Sequence, residues 1–197
     1  RYTKIAVPMI ASGLDFTVAL KSDGSVWTWG INNYGQLGDG TYINRAYPVQ
    51  VTLSIDEETG VRDYISDIKR IAAGERFVLA LRNDGLLYAW GDNTSGQLGV
   101  VINNETTEDG TAIEDSRSLP VEVDLTDGVD FTEITDIAAG KNHTVIVLNN
   151  DTVYTWGDNT YGQLGTGENG SYIPNQVKGF NGGGYLTDIF FKKYRSF

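Results

Sequence analysis

His143 is the only histidine of this chain, and cysteine is absent. A Ser/His or Cys/His nucleophile system therefore has one candidate base and no thiolate. His143 follows Ile137-Ala138-Ala139-Gly140 at the position that Phe16 and Phe77 hold after Ile10-Ala11-Ser12-Gly13 and Ile71-Ala72-Ala73-Gly74. A position filled twice by Phe is a packing position, and the histidine is read the same way. One histidine with carboxylates alone is also poor zinc chemistry. Gly165-Thr166-Gly167-Glu168-Asn169-Gly170 fits G-x-G-x-x-G. A phosphate-binding turn of that kind must open a helix, whereas Ser171-Tyr172-Ile173-Pro174 follows, and Glu168 would repel phosphate.

Carboxylates are plentiful, but none forms a recognisable acid/base pair. Asp92 and Asp158 stand where the first copy has Ile31, and Asp23 and Asp84 are turn formers. Two acidic insertions, 54–63 and 100–118, read as solvated loops on a rim. Neither fits the calcium loop of an EF-hand: with Gly110 aligned, Glu105 and Ser116 occupy the positions that require Asp and Glu. A looser calcium site within 105–115 stays open. Asn93-Thr94-Ser95, Asn104-Glu105-Thr106, Asn142-His143-Thr144 and Asn169-Gly170-Ser171 are glycosylation patterns, which matter only in a secretory host. The expectation is a protein without catalytic residues, bound cofactor or resident metal.

The elements that would carry any site repeat. One offset takes Ile10 to Ile71, Trp29 to Trp90 and Gly35-Gln36-Leu37-Gly38 to the quartet at Gly96. A second takes the same landmarks to Ile137, Trp156 and Gly162. All length differences fall after the quartet, so the section before it is one packed unit repeated. Within a unit the pattern is β. Phe16–Leu20, Phe77–Leu81 and His143–Val147 are short apolar runs suited to strands covered on both faces. Asp23-Gly24, Asp84-Gly85 and Asn150-Asp151 are hairpin residues, and Asp151, where the others have Gly, predicts strain. Next come strands with aromatics at alternate positions, Trp27/Trp29, Tyr88/Trp90 and Tyr154/Trp156, which share one strand face. Last strands open at Pro48, Pro120 and Pro174.

A four-stranded unit with two apolar faces must stack on copies of itself, and radial stacking gives a β-propeller. The reading is all-β: four-stranded antiparallel blades, about three of an incomplete ring. The divisions are 1–66, 67–133 and 134–185, with 186–197 an aborted fourth repeat or tail. Small residues in the Ile-Ala-Gly anchors suit inner strands near the axis. The tryptophans, constant in register, belong between blades. An open stack leaves apolar faces that become interfaces, so the chain self-associates or docks on a protein partner.

After the anchor glycine the frame stays fixed while the residues change: Leu14-Asp15, Glu75-Arg76, Lys141-Asn142. A varied rim on a constant scaffold is where recognition is usually placed. Plain exposure explains the variation equally well.

The string I-A-A-G-x-x-H-T-x-x-x-L…D-G-x-x-x-x-W-G-x-N-x-x-G-Q-L-G resembles the regulator of chromosome condensation repeat. It recurs three times between Ile10 and Phe180, and a fourth start shows at Leu186-Thr187-Asp188-Ile189. Phe190-Phe191-Lys192 then breaks the pattern where a small-residue anchor should follow. The resemblance implies propellers, typically of seven blades, that bind proteins. One member of the family acts on a small GTPase, a bacterial relative inhibits β-lactamases, and related repeats occur in large bacterial or viral surface proteins.

Composition sets the remaining bounds. The chain is 40% hydrophobic and 21% charged, with a net charge of -11. That charge argues against a general nucleic-acid binder or an anionic membrane surface. No apolar run approaches the roughly 18 residues of a membrane span. The start at Arg1 is not a signal peptide and reads as a processed product or fragment. The leading expectation is a non-catalytic recognition or assembly module of a larger protein or complex, with a lean toward an extracellular or virion surface. The alternatives are guanine-nucleotide exchange on a small GTPase, by resemblance, and glycan binding by exposed Trp and Tyr.

Overall fold

The computed structural model describes residues 6–100, 116–123, 125, 134–179 and 182–186. The first sheet holds β1 (Met9–Ser12), β2 (Phe16–Leu20), β3 (Val26–Gly30) and β4 (Arg45–Gln50) in that order. A hairpin of β5 (Thr52–Ile55) and β6 (Arg62–Tyr64) follows. The second sheet holds β7 (Ile68–Ala73), β8 (Phe77–Arg82), β9 (Leu87–Asp92) and β10 (Ser116–Glu122). The third holds β11 (Ile134–Ala139), β12 (His143–Leu148), β13 (Val153–Gly157) and β14 (Ser171–Gln176). Every pairing within these sheets is antiparallel, and the copies share one register: Thr17 opposite Trp29, Val78 opposite Trp90, Thr144 opposite Trp156. The sheets stand side by side as propeller blades, with β1, β7 and β11 adjoining at the inner edge, and no ring closes among the described residues.

Alternation along the second strand of each sheet shows how the blades stack. In β8, Val78 and Ala80 enter the core shared with the first sheet, and Phe77, Leu79 and Leu81 enter the core shared with the third. The middle blade is thus dry on both faces, as period-two geometry allows. The first and third blades are less completely covered on their outer faces. Phe16, Val18 and Leu20 are buried while Thr17 and Ala19 between them are half-buried. In β12, Thr144, Ile146 and Leu148 are buried, while on the other face His143 and Val145 are half-buried and Val147 is buried.

Two expectations need correction. Pro48, Pro120 and Pro174 do not open their strands. Each lies inside its strand at the step where pairing with the neighbour shifts register, and a bulge asks no ladder bond of a prolyl nitrogen. The insertion 54–63 is no solvated loop. Its flanks form the hairpin, and Arg62 Nη1 donates to Asp39 O at 2.6 Å and to Thr52 Oγ1 at 3.1 Å. Its side chains do face water: Ser54 and Asp56–Asp63 are exposed and Ile55 is half-buried. Of the insertion 100–118, Ser116, Arg117 and Ser118 belong to β10; 101–115, with the suggested calcium loop, lies outside the described residues, as do Phe190-Phe191-Lys192. Asp151 does hold the left-handed conformation, at φ 62°, where its counterparts are Gly24 and Gly85.

Candidate functional site

The rim is built from three two-residue turns. Gly13 N donates to Phe16 O, Gly74 N to Phe77 O and Gly140 N to His143 O, at 2.8–3.1 Å. The ring that follows folds back over the glycine. A Cβ at Gly74 would stand 1.9 Å from Phe77 Cε1 and one at Gly140 1.9 Å from His143 Cε1. His143 therefore does in its copy what Phe16 and Phe77 do in theirs. Blade is tied to blade at this rim by Leu14 N→Glu75 O and Glu75 N→Lys141 O, both 3.0 Å.

These bonds bring the varied residues together. Leu14, Asp15 and Lys141 are exposed; Glu75, Arg76 and Asn142 are half-buried. The Glu75 carboxylate lies 3.4 Å from Arg76 Nη2 and 3.2 Å from Lys141 Nζ. Arg76 reaches into the preceding blade, where its guanidinium lies 4.7 Å over the Tyr34 ring and Nη1 donates to Tyr34 Oη at 3.0 Å. Leu14, Asp15, Tyr34, Glu75 and Arg76 line a cleft of about 180 Å³. Asn142 joins neither the cleft nor the ion pairs. Sequence reasoning missed Tyr34. The signal was present, because Tyr34, Ser95 and Tyr161 vary in a fixed frame, as the rim residues do.

A second built feature is the joint between blades. Trp90 Nε1 donates to Gln36 O at 3.0 Å, and Trp156 Nε1 donates to Gln97 O at 3.1 Å, each reaching the Gly-Gln-Leu-Gly turn of the preceding blade. Thr144 Oγ1 shares the second carbonyl at 2.7 Å. The turn itself is fixed by the Asn two residues after the Trp-Gly pair: Leu37 N→Asn32 Oδ1, Leu98 N→Asn93 Oδ1 and Leu164 N→Asn159 Oδ1, at 2.8–2.9 Å. Both joint tryptophans are fully buried, which leaves no ring face for a sugar. In the first copy Asp39 completes the turn, with Arg45 Nη2 at 2.6 Å. Burial would raise the Asp39 pKa, but hydrogen bonds from Thr41 and Arg45 outweigh it and hold the carboxyl below its ordinary value.

Burial lowers the pKa of His143, with the nearby Asp158 charge opposing. The folded chain thus favours neutral imidazole, and the unfolded chain binds the proton more tightly. This contribution is complete above the ordinary value of 6.5 and falls away as pH drops below it. Replacing His143 by Phe, the residue of both sister copies, is expected to flatten the dependence. Melting between about pH 7.5 and 5.5 should lower Tm less in His143→Phe than in the parent chain. Equal slopes would show that the imidazole does not titrate on unfolding.

Among the described residues no three His, Asp or Glu side chains gather to hold a metal, and no helix is long and apolar enough to cross a membrane. Profiles of the regulator of chromosome condensation (RCC1) repeat match residues 23–81, 84–147 and 150–190. The ultraviolet-B receptor UVR8 of Arabidopsis thaliana is 32% identical over 160 residues, covering 81% of this chain and 31% of that protein. The chain thus spans about a third of that relative. Among solved structures, Prp20p of Saccharomyces cerevisiae matches 87% of this chain and 38% of its own at 28% identity and a TM-score of 0.65. Human WBSCR16 matches the same shares at 24% identity and a TM-score of 0.67, a likeness of fold. These plant, yeast and human relatives lend no support to a bacterial or viral setting. Repeat profile, blade register and solved relatives agree that this chain belongs to the RCC1 repeat family of β-propellers.

Proposed function

We propose that this chain is a non-catalytic propeller segment of a larger protein or complex and recognises protein partners through the rim of Leu14, Asp15, Glu75, Arg76, Lys141 and Asn142. The observation that carries this is a contrast. The three turns are held by the same backbone bonds, yet they present an apolar and an acidic residue, then an acid–base pair, then a base and an amide. Selection for packing explains the constant part and leaves the variable part to a ligand. The mixed charge and the net of -11 suit a protein surface better than a nucleic-acid backbone. Prp20p, the yeast relative, is described with binding properties to Gsp1p and histones, and in complex with Kap60.

The test places a photo-crosslinking residue at Leu14, Lys141 or, on the opposite rim, Asn150. Partner adducts are expected at 14 and 141 and not at 150. Because Leu14 and Lys141 are exposed, the pair Leu14→Asp with Lys141→Glu should leave the fold intact and weaken the captured complex by about tenfold or more. Adducts confined to position 150 would overturn the reading. The likeness to Prp20p keeps guanine-nucleotide exchange on a small GTPase as a second reading. Accelerated release of labelled GDP from a GTPase, lost in the same double variant, would select it.

A further inference from the structure

We propose that the cleft between the first two blades takes the carboxylate of an aspartate or glutamate side chain supplied by the protein partner. This rests on the recognition role proposed for the rim and names the group held there. What carries it is a pair of donors that an aspartate of the chain serves in the third blade and that nothing serves in the first.

The residue after each Trp-Gly pair is anchored alike. Ile31 N donates to Asp15 O, Asp92 N to Arg76 O and Asp158 N to Asn142 O, at 2.8–2.9 Å. Their side chains differ in what they offer. Asp158 Oδ1 accepts from Thr160 N at 2.9 Å, and its Oδ2 accepts from Gln163 Nε2 at 2.9 Å. Asp92 Oδ1 accepts from Thr94 N at 2.9 Å. Ile31 has no acceptor to give. Asn33 holds the position of Thr94 and Thr160, and Gln36 that of Gln163. Asn33 N and Gln36 Nε2 accordingly have no acceptor among the described residues.

The Gln36 amide is not free to reverse. Its Oε1 accepts from Tyr34 N at 2.9 Å, as Gln97 accepts from Ser95 N and Gln163 from Tyr161 N at 2.8 Å. Gln36 is only 2% exposed, yet it borders open space: Ile31, Asn33, Gln36 and Arg76 line the same cleft of about 180 Å³. Gln97 Nε2 also lacks a partner, but it is sealed from solvent, and Gln36 Nε2 is not. An amide donor left unmatched is costly to the free chain, so an acceptor brought by a partner gains that much more.

Charge and size select the acceptor. Arg76 brings a guanidinium to the cleft from the second blade, with Nη1 on Tyr34 Oη and Nη2 3.4 Å from Glu75. Asp15 and Glu75 line the cleft too. Glu75 is offset by Arg76 and by Lys141 at 3.2 Å, and Asp15 is exposed to water. The two acids and two bases cancel, which leaves the choice to the unmatched donors and the guanidinium, and these favour a carboxylate. A cleft of 180 Å³ is below the roughly 300–1,000 Å³ of small-molecule sites and suits one side chain.

The probes are blocked peptides Gly-Ser-Xaa-Ser-Gly, with Xaa Asp, Glu, Asn, Gln or Ala. They are titrated to about 20 mM against the full nitrogen-labelled chain, a range that captures millimolar affinity. The Gln36 side-chain amide and Asn33 N–H resonances should shift saturably with the Asp or Glu peptide and not with the Ala peptide. No saturable shift with either acid overturns the proposal, and so does an equal response to the Asn or Gln peptide. Ile31→Asp and Ile31→Asn each give the chain an acceptor of its own. Both should fold, since Asp fills this position in the sister blades, and each should weaken acidic-peptide binding by about tenfold or more. A loss in Ile31→Asp without one in Ile31→Asn would mean charge repulsion alone, against the assignment to these donors. If partners crosslink at Leu14 and Lys141 and Ile31→Asn leaves their capture unchanged, this inference falls and the rim reading stands. Acidic-peptide binding with no partner adduct at those two positions would support the cleft and remove the rim reading.

Discussion

Trp90→Ala should lower the free energy of unfolding by about 3–5 kcal/mol, and Trp29→Ala by no more than about 1 kcal/mol. The residues occupy one position of the repeat, so intrinsic strand preference cancels in the comparison. Environment does not cancel. Trp90 is fully buried between two sheets and donates to Gln36 O; Trp29 is half-buried, with no sheet beyond it among the described residues. Truncating Trp90 opens a cavity in a core that relaxes only in part, and also strips Gln36 O of its indole donor. Val78 has no hydroxyl to replace it, whereas Gln97 O would keep Thr144 if Trp156 were truncated. Trp156→Ala should therefore be milder than Trp90→Ala by about 1 kcal/mol. Denaturant titrations of the three variants, with Trp90→Phe to separate packing from the hydrogen bond, measure these terms. Equal losses at positions 29 and 90 would contradict the assignment of Trp29 to an uncovered face. A domain of this size has about 5–15 kcal/mol in all, so Trp90→Ala should remove a large fraction of the native state's margin.

The contrast also shows what was legible in the sequence. The repeat told which strands are equivalent, and two-faced apolar runs told that the blades stack. The constant tryptophans belonged between blades, and the structure puts Trp90 and Trp156 there. What escaped was chemistry that has no period. The hairpin at 54–63 reads as an acidic insertion because most of its side chains face water, and its anchor is one residue, Arg62, reaching back to Asp39 O. Pro48, Pro120 and Pro174 signal a limit on pairing without saying whether it falls at a strand's start or at a bulge. Tyr34 escaped because aromatic residues in a turn suggest packing, and its partner Arg76 comes from the next blade. Asn32, Asn93 and Asn159 were visible as constants, but their task of accepting from the Leu amide five residues on appears only in three dimensions. The rim was singled out from variation alone, and its role in recognition is a proposal. The structure adds the Glu75–Lys141 ion pair, which joins neighbouring blades, and the Glu75–Arg76 pair within one blade.

Gly74→Ala is expected to be the most damaging single-methyl change on the rim, at about 3 kcal/mol, and Gly140→Ala to cost roughly half of that. The backbone at Gly74 is not in the left-handed region, so the penalty comes from space. A Cβ there meets the Phe77 ring at 1.9 Å and the carbonyl oxygen of Gly140, in the next blade, at 2.7 Å. The ring cannot swing aside, because Phe77 is fully buried, and the oxygen belongs to backbone tied into the neighbouring sheet. At Gly140 the three nearest atoms all belong to the His143 ring, the first at 1.9 Å, and no fourth blade stands beside it among the described residues. His143 is half-buried and has room to turn outward. The double variant Gly74→Ala with Phe77→Ala isolates the ring's share: its loss should fall short of the sum of the single losses by about 1–2 kcal/mol. The two variants also separate stability from recognition. Gly74→Ala shifts the turn that carries Glu75 and Arg76, so partner binding at the rim should fall with it even at temperatures where the chain stays folded. Gly140→Ala should disturb Lys141 locally and leave the Arg76–Tyr34 contact in place. Additive losses in the double variant would mean that the anchor glycine is constant for a reason other than the ring folded over it.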